Sequence, residues 1–536
     1  MKREKFWNGL VKVLWGAVLV LLGFTLASTF GTGRRHSKMR ISDSEWSKLM
    51  LVLGVVDNDY VDKIDKEEVT ERILPLIMAE LDPHSMYLPP EDLRAADEDL
   101  QGGFEGIGVQ FNMPEDTVVV TAVIGGGPSE KAGLMTGDRI VTVNGRNIAG
   151  IKFQMDSVVK LLKGPRGTKV TVGIARGGEQ DVLPFDIVRD VIPVNSVDVA
   201  YMADDTTGYI KLEKFARTSY VEFLKAVAQL QEQGMKKLIF DLRGNSGGYL
   251  DQALLLCNEF LDKGDLIVYM EGRNAPRQDM FADGRGTCRE VELAVLIDEG
   301  SASSSEIFAG AIQDNDRGTI YGLRSFGKGL VQEPRYFSDG SGIRITVARY
   351  FTPSGRCIQK PYVDYGESHF DDIIARYSSG EMMSADSIKV NDSLKFNTIK
   401  KGRTVYGGGG IIPDVFVPLD TTGVSDYLIR CNRQSLLIKY ANLMADKYRS
   451  SLRSIKDMDS LDKFLDSIHI EDGFIEYTSS LGVVPSKADW KISGDIILIQ
   501  IRALIGRYTP MGDNAFYPIY LTIDNTMKRA MEPISQ

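Results

Sequence analysis

Two segments of the sequence combine a nucleophilic or basic side chain with small neighbouring residues. The first is LAVLIDEGSASSSEIFAGAI, in which a strand is predicted to end near Asp298 and a helix to begin around Ser303–Glu306. A serine at a helix N-terminus lies beside unpaired backbone N–H groups and the positive end of the helix dipole. The same N–H groups can stabilise an oxyanion. The alternative is structural, because a serine followed three positions later by glutamate is also a capping box.

The second segment is GLRSFGKGLVQ at residues 322–332, which holds Lys328 between two glycines. It nearly matches the phosphate-binding GxxxxGK[ST] loop, but Gly329 replaces the hydroxyl residue and a strand-like LVQEPRYF replaces the helix. A lysine acts as a base only when it is neutral. Lowering its pKa from about 10.4 to near 7 requires about 4–5 kcal/mol. Burial beside Phe326 and Leu330 would contribute to that shift.

A glycine-rich turn in KKLIFDLRGNSGG, residues 236–248, is the third candidate. Gly247 and Gly248 let the backbone approach a ligand closely and present an N–H group. A tight turn without function is the alternative.

Residues 205–360 alternate between strand and helix patterns, which predicts an α/β domain with much parallel sheet. Ligands in such sheets lie at the carboxyl ends of strands, where these three segments are expected.

Other chemistry is less well supported by the composition. The sequence has four histidines: His36, His84, His369 and His469. All four are predicted to lie outside the α/β core, so a Ser-His-Asp triad would have to recruit one from another segment. Four cysteines without metal-binding spacing argue against zinc ribbons and disulfide scaffolds, and no cofactor or metal is expected. A net charge of −10 gives no indication of nucleic-acid binding.

The length of 536 residues predicts three or four domains. Helical spacing occurs before residue 100 and after residue 421, and short β-branched runs between glycines predict a small β-rich module with a short helix, PSEKAGL. A polar, serine-rich stretch at 365–403 is predicted to be a loop or a surface insertion. The predicted organisation is a signal or anchor segment (1–40), an N-terminal helical region (41–100), the β-rich module (101–190), the α/β domain (191–420) and a helical C-terminal region (421–536).

The first forty residues indicate export. Basic residues precede an uncharged, apolar run, Val13–Phe30, whose 18 residues are close to the lower limit for crossing a hydrocarbon core of about 30 Å. A secretory signal peptide cleaved near Leu26–Ser28 is the competing interpretation. Basic residues on both flanks leave the orientation ambiguous by the positive-inside rule. Either form of export places the bulk of the chain in the periplasm or another extracytoplasmic space.

These motifs together resemble the carboxyl-terminal processing peptidases, or tail-specific proteases, over about residues 45–420. LDPHSMYLPPEDL followed by GGFEGIGV is similar to the family's approach to its PDZ domain, and GGPSEKAGLMTGDRIVTVNG resembles the PDZ core. DLRGNSGG, SASSSEIFAGAIQDNDRG and FGKGLVQ resemble the three catalytic motifs in the family's order. The resemblance implies a multidomain α+β protein with an N-terminal membrane segment and helical region, a β-rich PDZ domain, an α/β catalytic domain of the crotonase and ClpP type, and a helical C-terminal region.

The resemblance also implies roles for particular residues. In this family the nucleophile is the third residue of the SAS motif, the general base is the FGKG lysine, and a glutamine four positions further on orients that lysine. These residues are Ser303, Lys328 and Gln332 here. The implied oxyanion donors are the N–H of Ser304 and that of Gly247 or Gly248, between which the sequence does not decide. Position 304 is commonly alanine in the family, and a backbone donor would tolerate the serine.

A PDZ domain adds an extended peptide as a strand and binds its terminal carboxylate on backbone N–H groups. The candidate loop is Gly106, Ile107, Gly108 and Val109, with a purely structural loop as the alternative. The resemblance therefore implies a serine endopeptidase that processes or degrades exported proteins with apolar C-terminal tails. The oligomeric state and any adaptor protein stay open. The alternatives are a non-catalytic PDZ scaffold, which would be expected to lack the serine or the lysine, and a crotonase-like acyl enzyme, which would need no PDZ module.

Overall fold

The computed structural model describes residues 44–113, 116–361 and 369–532. The chain divides into two compact units, residues 1–73 and 74–536. The described part of the first unit contains α1 (Ser44–Asp59) and the beginning of α2 (Lys66–Ala79), in agreement with the helical spacing. No helix in the described ranges has both the length and the apolar character needed to cross a membrane. The Val13–Phe30 run lies outside the described residues, so the anchor stays a prediction.

The second unit contains the sheets. Its strands are β1 (Met86–Leu88), β2 (Gly103–Gly106), β3 (Val109–Asn112), β4 (Val118–Val123), β5 (Arg139–Val143), β6 (Arg146–Asn147), β7 (Lys169–Ala175), β8 (Leu183–Val188), β9 (Asp190–Pro193), β10 (Val197–Met202), β11 (Thr207–Leu212), β12 (Lys237–Asp241), β13 (Leu266–Glu271), β14 (Gln278–Phe281), β15 (Glu292–Ile297), β16 (Thr319–Gly322), β17 (Leu330–Tyr336), β18 (Gly342–Phe351), β19 (Lys395–Asn397), β20 (Thr404–Tyr406) and β21 (Val415–Phe416). Its further helices are α3 (Pro90–Gln101), α4 (Pro128–Ala132), α5 (Met155–Leu162), α6 (Ser219–Glu232), α7 (Leu250–Asn258), α8 (Ser304–Asp314), α9 (His369–Ser378), α10 (Asp426–Arg433), α11 (Leu436–Lys447), α12 (Arg449–Ser454), α13 (Met458–Ser467), α14 (Ile470–Ser480), α15 (Lys487–Gly506), α16 (Asp513–Tyr520) and α17 (Asn525–Met531).

The β-rich module is an antiparallel sheet in the order β3-β4-β5-β7-β8, with β6 paired to β5. The short helix predicted at PSEKAGL is α4, between β4 and β5. Helix α5 packs Val158 and Leu162 into the core of the module, against residues such as Val120 and Ile140. Strand β3 is at the edge of this sheet, which leaves one side of it available for an added strand.

The central sheet has the order β10-β11-β12-β15-β16-β21, and all its pairs except β10–β11 are parallel. This confirms the predicted α/β character. Side chains alternate between its two faces. Leu238 and Phe240 pack in the same core as residues of α6, α7 and α8, whereas Ile239 packs in a separate core with Leu521 and Met527 from the C-terminal region. The C-terminal region therefore covers the face of the sheet that α6–α8 leave open.

The C-terminal region is helical, as the sequence predicts, and it has its own hydrophobic core. It also contacts the β-rich module through charged groups. Asp446 of α11 forms an ion pair with Arg139 of β5 at 2.6 Å. Arg449 of α12 donates to the Thr136 carbonyl at 3.0 Å. The region thus connects the central sheet and the β-rich module.

The segment 365–403 is not the loop that its polar composition suggested. Its described residues contain α9 and β19, which pairs with β20 just after the segment, and Arg376 of α9 is buried with 4% exposure. The Arg376 guanidinium donates to the carbonyls of Ser325 (2.9 Å) and Phe326 (3.1 Å) and pairs with Asp372 at 3.0 Å. The loop alternative is wrong, and the surface-insertion alternative stays a prediction. Polar side chains here bind buried groups of another segment instead of facing water.

Candidate active site

Three loops meet at the carboxyl ends of the adjacent parallel strands β12, β15 and β16. They are the RGNSGG turn after β12, the SAS segment after β15 and the FGKG segment after β16. Backbone hydrogen bonds connect them: the Ala302 N–H donates to the Asn245 carbonyl, and the Phe326 N–H donates to the Ser301 carbonyl, both at 3.0 Å. All three candidate segments of the sequence therefore lie at one edge of the sheet.

Ser303 has an unusual backbone conformation, with φ +54° and ψ −112°, at the residue that precedes α8. A non-glycine residue held in such a region costs of the order of 1–3 kcal/mol. A strained serine at a strand-to-helix turn is also the arrangement that exposes the nucleophile of α/β-hydrolases. Ser303 immediately precedes α8 and therefore lies beside the N–H groups of its first turn.

The hydroxyl groups of the neighbouring serines hold the loops together. Ser301 Oγ donates to the Leu242 carbonyl and Ser305 Oγ to the Asn245 carbonyl, both at 2.8 Å. Ser304 Oγ donates to the carbonyl of Gly248 at 3.0 Å. Each of these hydroxyls fastens the SAS segment to the turn after β12. Their contacts are those of structural residues.

Glu306 connects the serine and the lysine. Its Oε2 accepts the backbone N–H groups of both Ser303 (2.9 Å) and Lys328 (2.8 Å). Its Oε1 accepts the Gly327 N–H (2.7 Å) and the Ser325 hydroxyl (2.5 Å). Burial raises the pKa of this fully buried carboxyl, while these four hydrogen bonds act to lower it. Glu306, predicted only as part of a helix cap, therefore also holds the lysine loop in place.

Lys328 has a pKa lowered from its usual value, and burial is the largest cause. Its neighbours Phe326 and Leu330 are buried, as the sequence analysis required. The positive charge of Arg344 lowers the pKa further, whereas the carboxylates of Glu306 and Asp82 act in the opposite direction. A lowered pKa is what a lysine needs to act as a general base near neutral pH.

Gln332 lies on β17, and its side-chain Nε2 donates to the backbone carbonyl of His84. Its contact with Lys328, implied by the resemblance, stays a prediction. The imidazole of His84 lies edge-on to the Phe326 ring, with centroids 6.1 Å apart. His84 is therefore close to the lysine loop, although the sequence analysis predicted the histidines to lie away from the core. The pairing of β1 with β18 brings it there, and a three-residue strand gives little signal in the sequence.

Neither Gly247 nor Gly248 of the turn after β12 has room for a side chain. A Cβ on Gly247 (φ +101°) would lie 2.8 Å from Ser303 Cβ, and one on Gly248 (φ +144°) would lie 2.2 Å from the Phe215 carbonyl oxygen. The N–H of Gly247 donates to Asn245 Oδ1 at 2.9 Å. Gly247 thus packs directly on the candidate nucleophile, but its N–H already has a partner.

Sequence reasoning missed Arg243 of the same turn. Its guanidinium pairs with Asp241 at 2.6 Å and with Asp524, between α16 and α17, at 2.7 Å. The C-terminal region therefore supports the turn that carries the two glycines. The DLRGN motif contained a signal for this ion pair. Asp241 ends a buried strand, and a buried carboxylate needs a charged partner, which the arginine two residues later provides.

The predicted peptide loop borders a cavity of about 360 Å³ in the β-rich module. Ile107, Gly108 and Val109 line it together with Met155 and Val159 of α5. Gly106, the fourth predicted residue, ends β2 and is not part of the lining. The apolar cavity lies along the edge strand β3, which is the geometry that strand addition requires.

Comparisons with known proteins identify families that match parts of this chain. The profile of Peptidase family S41 matches residues 206–366, that of the PDZ domain matches 119–176, and a family of unknown function, DUF8443, matches 427–509. A probable CtpA-like serine protease of Staphylococcus aureus (strain COL) is 32% identical over 415 residues, 76% of this chain and 80% of that protein. A protein of the same name from Staphylococcus haemolyticus (strain JCSC1435) is 32% identical over 76% of this chain and 81% of its own length. Among solved structures, the photosystem II D1 C-terminal processing protease is 27% identical with a TM-score of 0.39, covering 70% of this chain and 87% of that one. On the strength of the sequence matches, this chain belongs to the CtpA-like serine proteases of peptidase family S41 and contains a PDZ domain.

Proposed function

We propose that this protease is an endopeptidase that selects substrates by their C-terminal tails and cleaves them with Ser303 as nucleophile and Lys328 as general base. The observation that carries the proposal is the shared oxygen of Glu306, which accepts the backbone N–H groups of both residues. The strained backbone of Ser303 and the lowered pKa of Lys328 support the same roles. The alternatives of a non-catalytic scaffold and a crotonase-like acyl enzyme find no support in the family matches.

In the proposed reaction, the neutral amine of Lys328 takes the hydroxyl proton of Ser303 as Oγ bonds to the scissile carbonyl carbon. The tetrahedral intermediate then collapses with loss of the C–N bond, and the Lys328 ammonium returns the proton to the leaving amine. Water, deprotonated by the same lysine, hydrolyses the resulting ester and restores Ser303. Gln332 keeps the lysine side chain in place.

The oxyanion of the intermediate is proposed to bind the N–H groups of Ser304 and Gly248. Ser304 is the first residue of α8, where N–H groups lack helical partners. Gly248 is preferred to Gly247 because the Gly247 N–H already donates to Asn245. Two such donors aimed at the developing charge provide the usual electrostatic stabilisation of acyl transfer.

The PDZ domain is proposed to bind the C-terminal carboxylate of the substrate on the loop Gly106–Val109, with the peptide added to the edge of β3. The apolar lining of the adjacent cavity favours tails that end in apolar residues. Binding of the tail would place an upstream stretch of the substrate near Ser303, so that the tail contributes to positioning the scissile bond.

A model peptide with a free C-terminus should therefore be cleaved with a kcat/KM about 10–150 times higher than that of its amidated form. This follows from the 1.5–3 kcal/mol that a hydrogen bond to a charged group typically contributes. The measurement compares the two forms of one peptide that ends in apolar residues. Equal kcat/KM values would remove the claim of carboxylate recognition and leave the roles of Ser303 and Lys328 unaffected.

We also propose that the protease acts on exported proteins while anchored by Val13–Phe30, a run that is apolar and uncharged over 18 residues. The intact protein is then expected to remain with membranes after carbonate extraction and to begin at its original N-terminus. Recovery of a soluble protein that begins near Ser28 would show signal-peptide cleavage instead.

A further inference from the structure

The turn Asp82–Ser85, between α2 and β1, lies outside the catalytic motifs yet contacts the site that they form. The side chain of Asp82 stabilises the turn, because its Oδ1 accepts the N–H groups of His84 and Ser85, both at 2.8 Å. Asp82 Oδ2 accepts the Ser85 hydroxyl at 2.7 Å. Asp82 and Ser85 are both buried, so the turn is a packed part of the structure.

Two contacts fix this turn to the strands that follow the lysine. Ser85 Oγ accepts the Thr346 N–H of β18 at 3.1 Å, and the His84 carbonyl accepts from Gln332 Nε2 of β17. Gln332 and Thr346 are directly opposite each other, and the register shifts between Val331 and Gln332. The turn therefore contacts both strands of the pair β17–β18 beside the irregularity in their register.

The turn also places a charge near the general base. Three charged groups act on Lys328, each from a different element: Arg344 from β18, Glu306 from α8 and Asp82 from the turn. Arg344 lowers the pKa of Lys328, and the two carboxylates raise it. The imidazole of His84 lies beside Phe326, two positions before the lysine.

We infer that Asp82 is a positioning residue of this protease: its carboxylate shapes the turn that presents the His84 carbonyl to Gln332, four positions after the lysine base. The inference rests on the proposed role of Lys328. Asp82 acts through Gln332 and the lysine loop and contacts no substrate. The proteolytic site is thereby completed by a segment far upstream of the α/β domain.

Two substitutions separate the shape of the turn from its charge. Asp82→Ala removes both, and kcat is expected to fall about 10- to 100-fold at an unchanged KM, since small displacements of catalytic groups have effects of this size. Asp82→Asn keeps an oxygen that can accept the two backbone N–H groups but removes the charge. Because that charge raises the pKa of Lys328, its loss is expected to move the acid limb of the kcat–pH profile to lower pH.

The C-terminal region provides a matched control. Asp457 Oδ1 accepts the Ser460 N–H at 2.8 Å and its Oδ2 accepts the Ser460 hydroxyl at 2.9 Å, repeating two of the Asp82 contacts. Asp457→Ala and Asp457→Asn should leave kcat and its pH profile unchanged. Ser85→Ala keeps the charge of Asp82 but removes the acceptor for Thr346, so it should lower kcat without moving the acid limb. Because Asp82 also lies beside His84, Asp82→Asn is measured in a His84→Gln background as well, where a shift of the acid limb cannot come from the imidazole.

The comparison uses the full chain, with thermal unfolding measured for each variant. Wild-type kcat and an unmoved acid limb in both Asp82 variants would overturn the inference. A fall in activity that only follows a loss of folded protein, with the acid limb of Asp82→Asn unmoved, would show a purely structural role and overturn it too. Lys328→Ala is assayed alongside: if that variant stays active the proposed function itself fails, whereas an inactive Lys328→Ala with normal Asp82 variants removes only this inference.

Discussion

Replacing Ser303 by alanine is expected to lower kcat on a cleavable peptide by about 10⁴- to 10⁶-fold, the range found when other serine hydrolases lose their nucleophile. The protein should still fold, because Glu306 binds the backbone N–H of residue 303 and the substitution leaves that group in place. The residual rate would come from substrate binding and the oxyanion donors. Peptide cleavage assays on the full chain measure the effect.

The neighbouring serines are the matched controls. Ser301→Ala, Ser304→Ala and Ser305→Ala each remove a hydroxyl that donates to a backbone carbonyl, so we expect lower stability with measurable turnover. Ser303→Gly should be as inactive as Ser303→Ala but about 1–3 kcal/mol more stable, since glycine adopts a positive φ without strain. An inactive Ser305→Ala beside an active Ser303→Ala would show that the nucleophile is misassigned.

Lys328→Arg is expected to abolish turnover as completely as Lys328→Ala, because a guanidinium stays protonated and cannot accept the serine proton. In the wild-type enzyme the rate should rise with pH as the lysine loses its proton. Burial lowers the pKa of Lys328, so this rise should be complete well below the pKa of a free lysine. Activity against pH, measured on the wild type and on both variants, tests this.

Lys360 is a suitable control for that substitution. It lies over the Phe326 ring at 4.6 Å and pairs with Asp372 at 3.1 Å, so it shares the neighbourhood of Lys328 and is expected to act as a cation. Lys360→Arg keeps the charge and should keep most of the activity. Substantial turnover by Lys328→Arg, or a wild-type rate that falls as pH rises through the neutral range, would exclude a lysine base.

The sequence predicted those parts of the site whose residues lie close together along the chain. The strand–turn–helix around Ser303, the glycine turn after β12 and the flanks of Lys328 each lie within about a dozen consecutive residues, so their patterns are visible without a fold. The sequence does not distinguish Gly247 from Gly248, because the contact between the Gly247 N–H and Asn245 Oδ1 depends on the folded shape of the turn.

The parts that the sequence did not predict depend on partners distant in the chain. His84 reaches the lysine loop only because β1 pairs with β18, whose residues come about 250 positions later. Nothing in the sequence around Arg376 or Asp524 distinguishes them from surface charges. Arg376 nevertheless donates to the carbonyls of the lysine loop, and Asp524 pairs with Arg243. Hydrophobic periodicity carries no information on such polar contacts, because they leave no repeating pattern along the chain.

The central claim is that Ser303 is a nucleophile activated by Lys328, and covalent labelling tests it most directly. The full chain is treated with a fluorophosphonate probe, and the modified residue is located by peptide mass spectrometry. We expect a single adduct on Ser303 that forms faster as pH rises and is absent from Lys328→Ala. An adduct on Ser301, Ser304 or Ser305, or labelling of Ser303 at an undiminished rate in Lys328→Ala, would contradict the account.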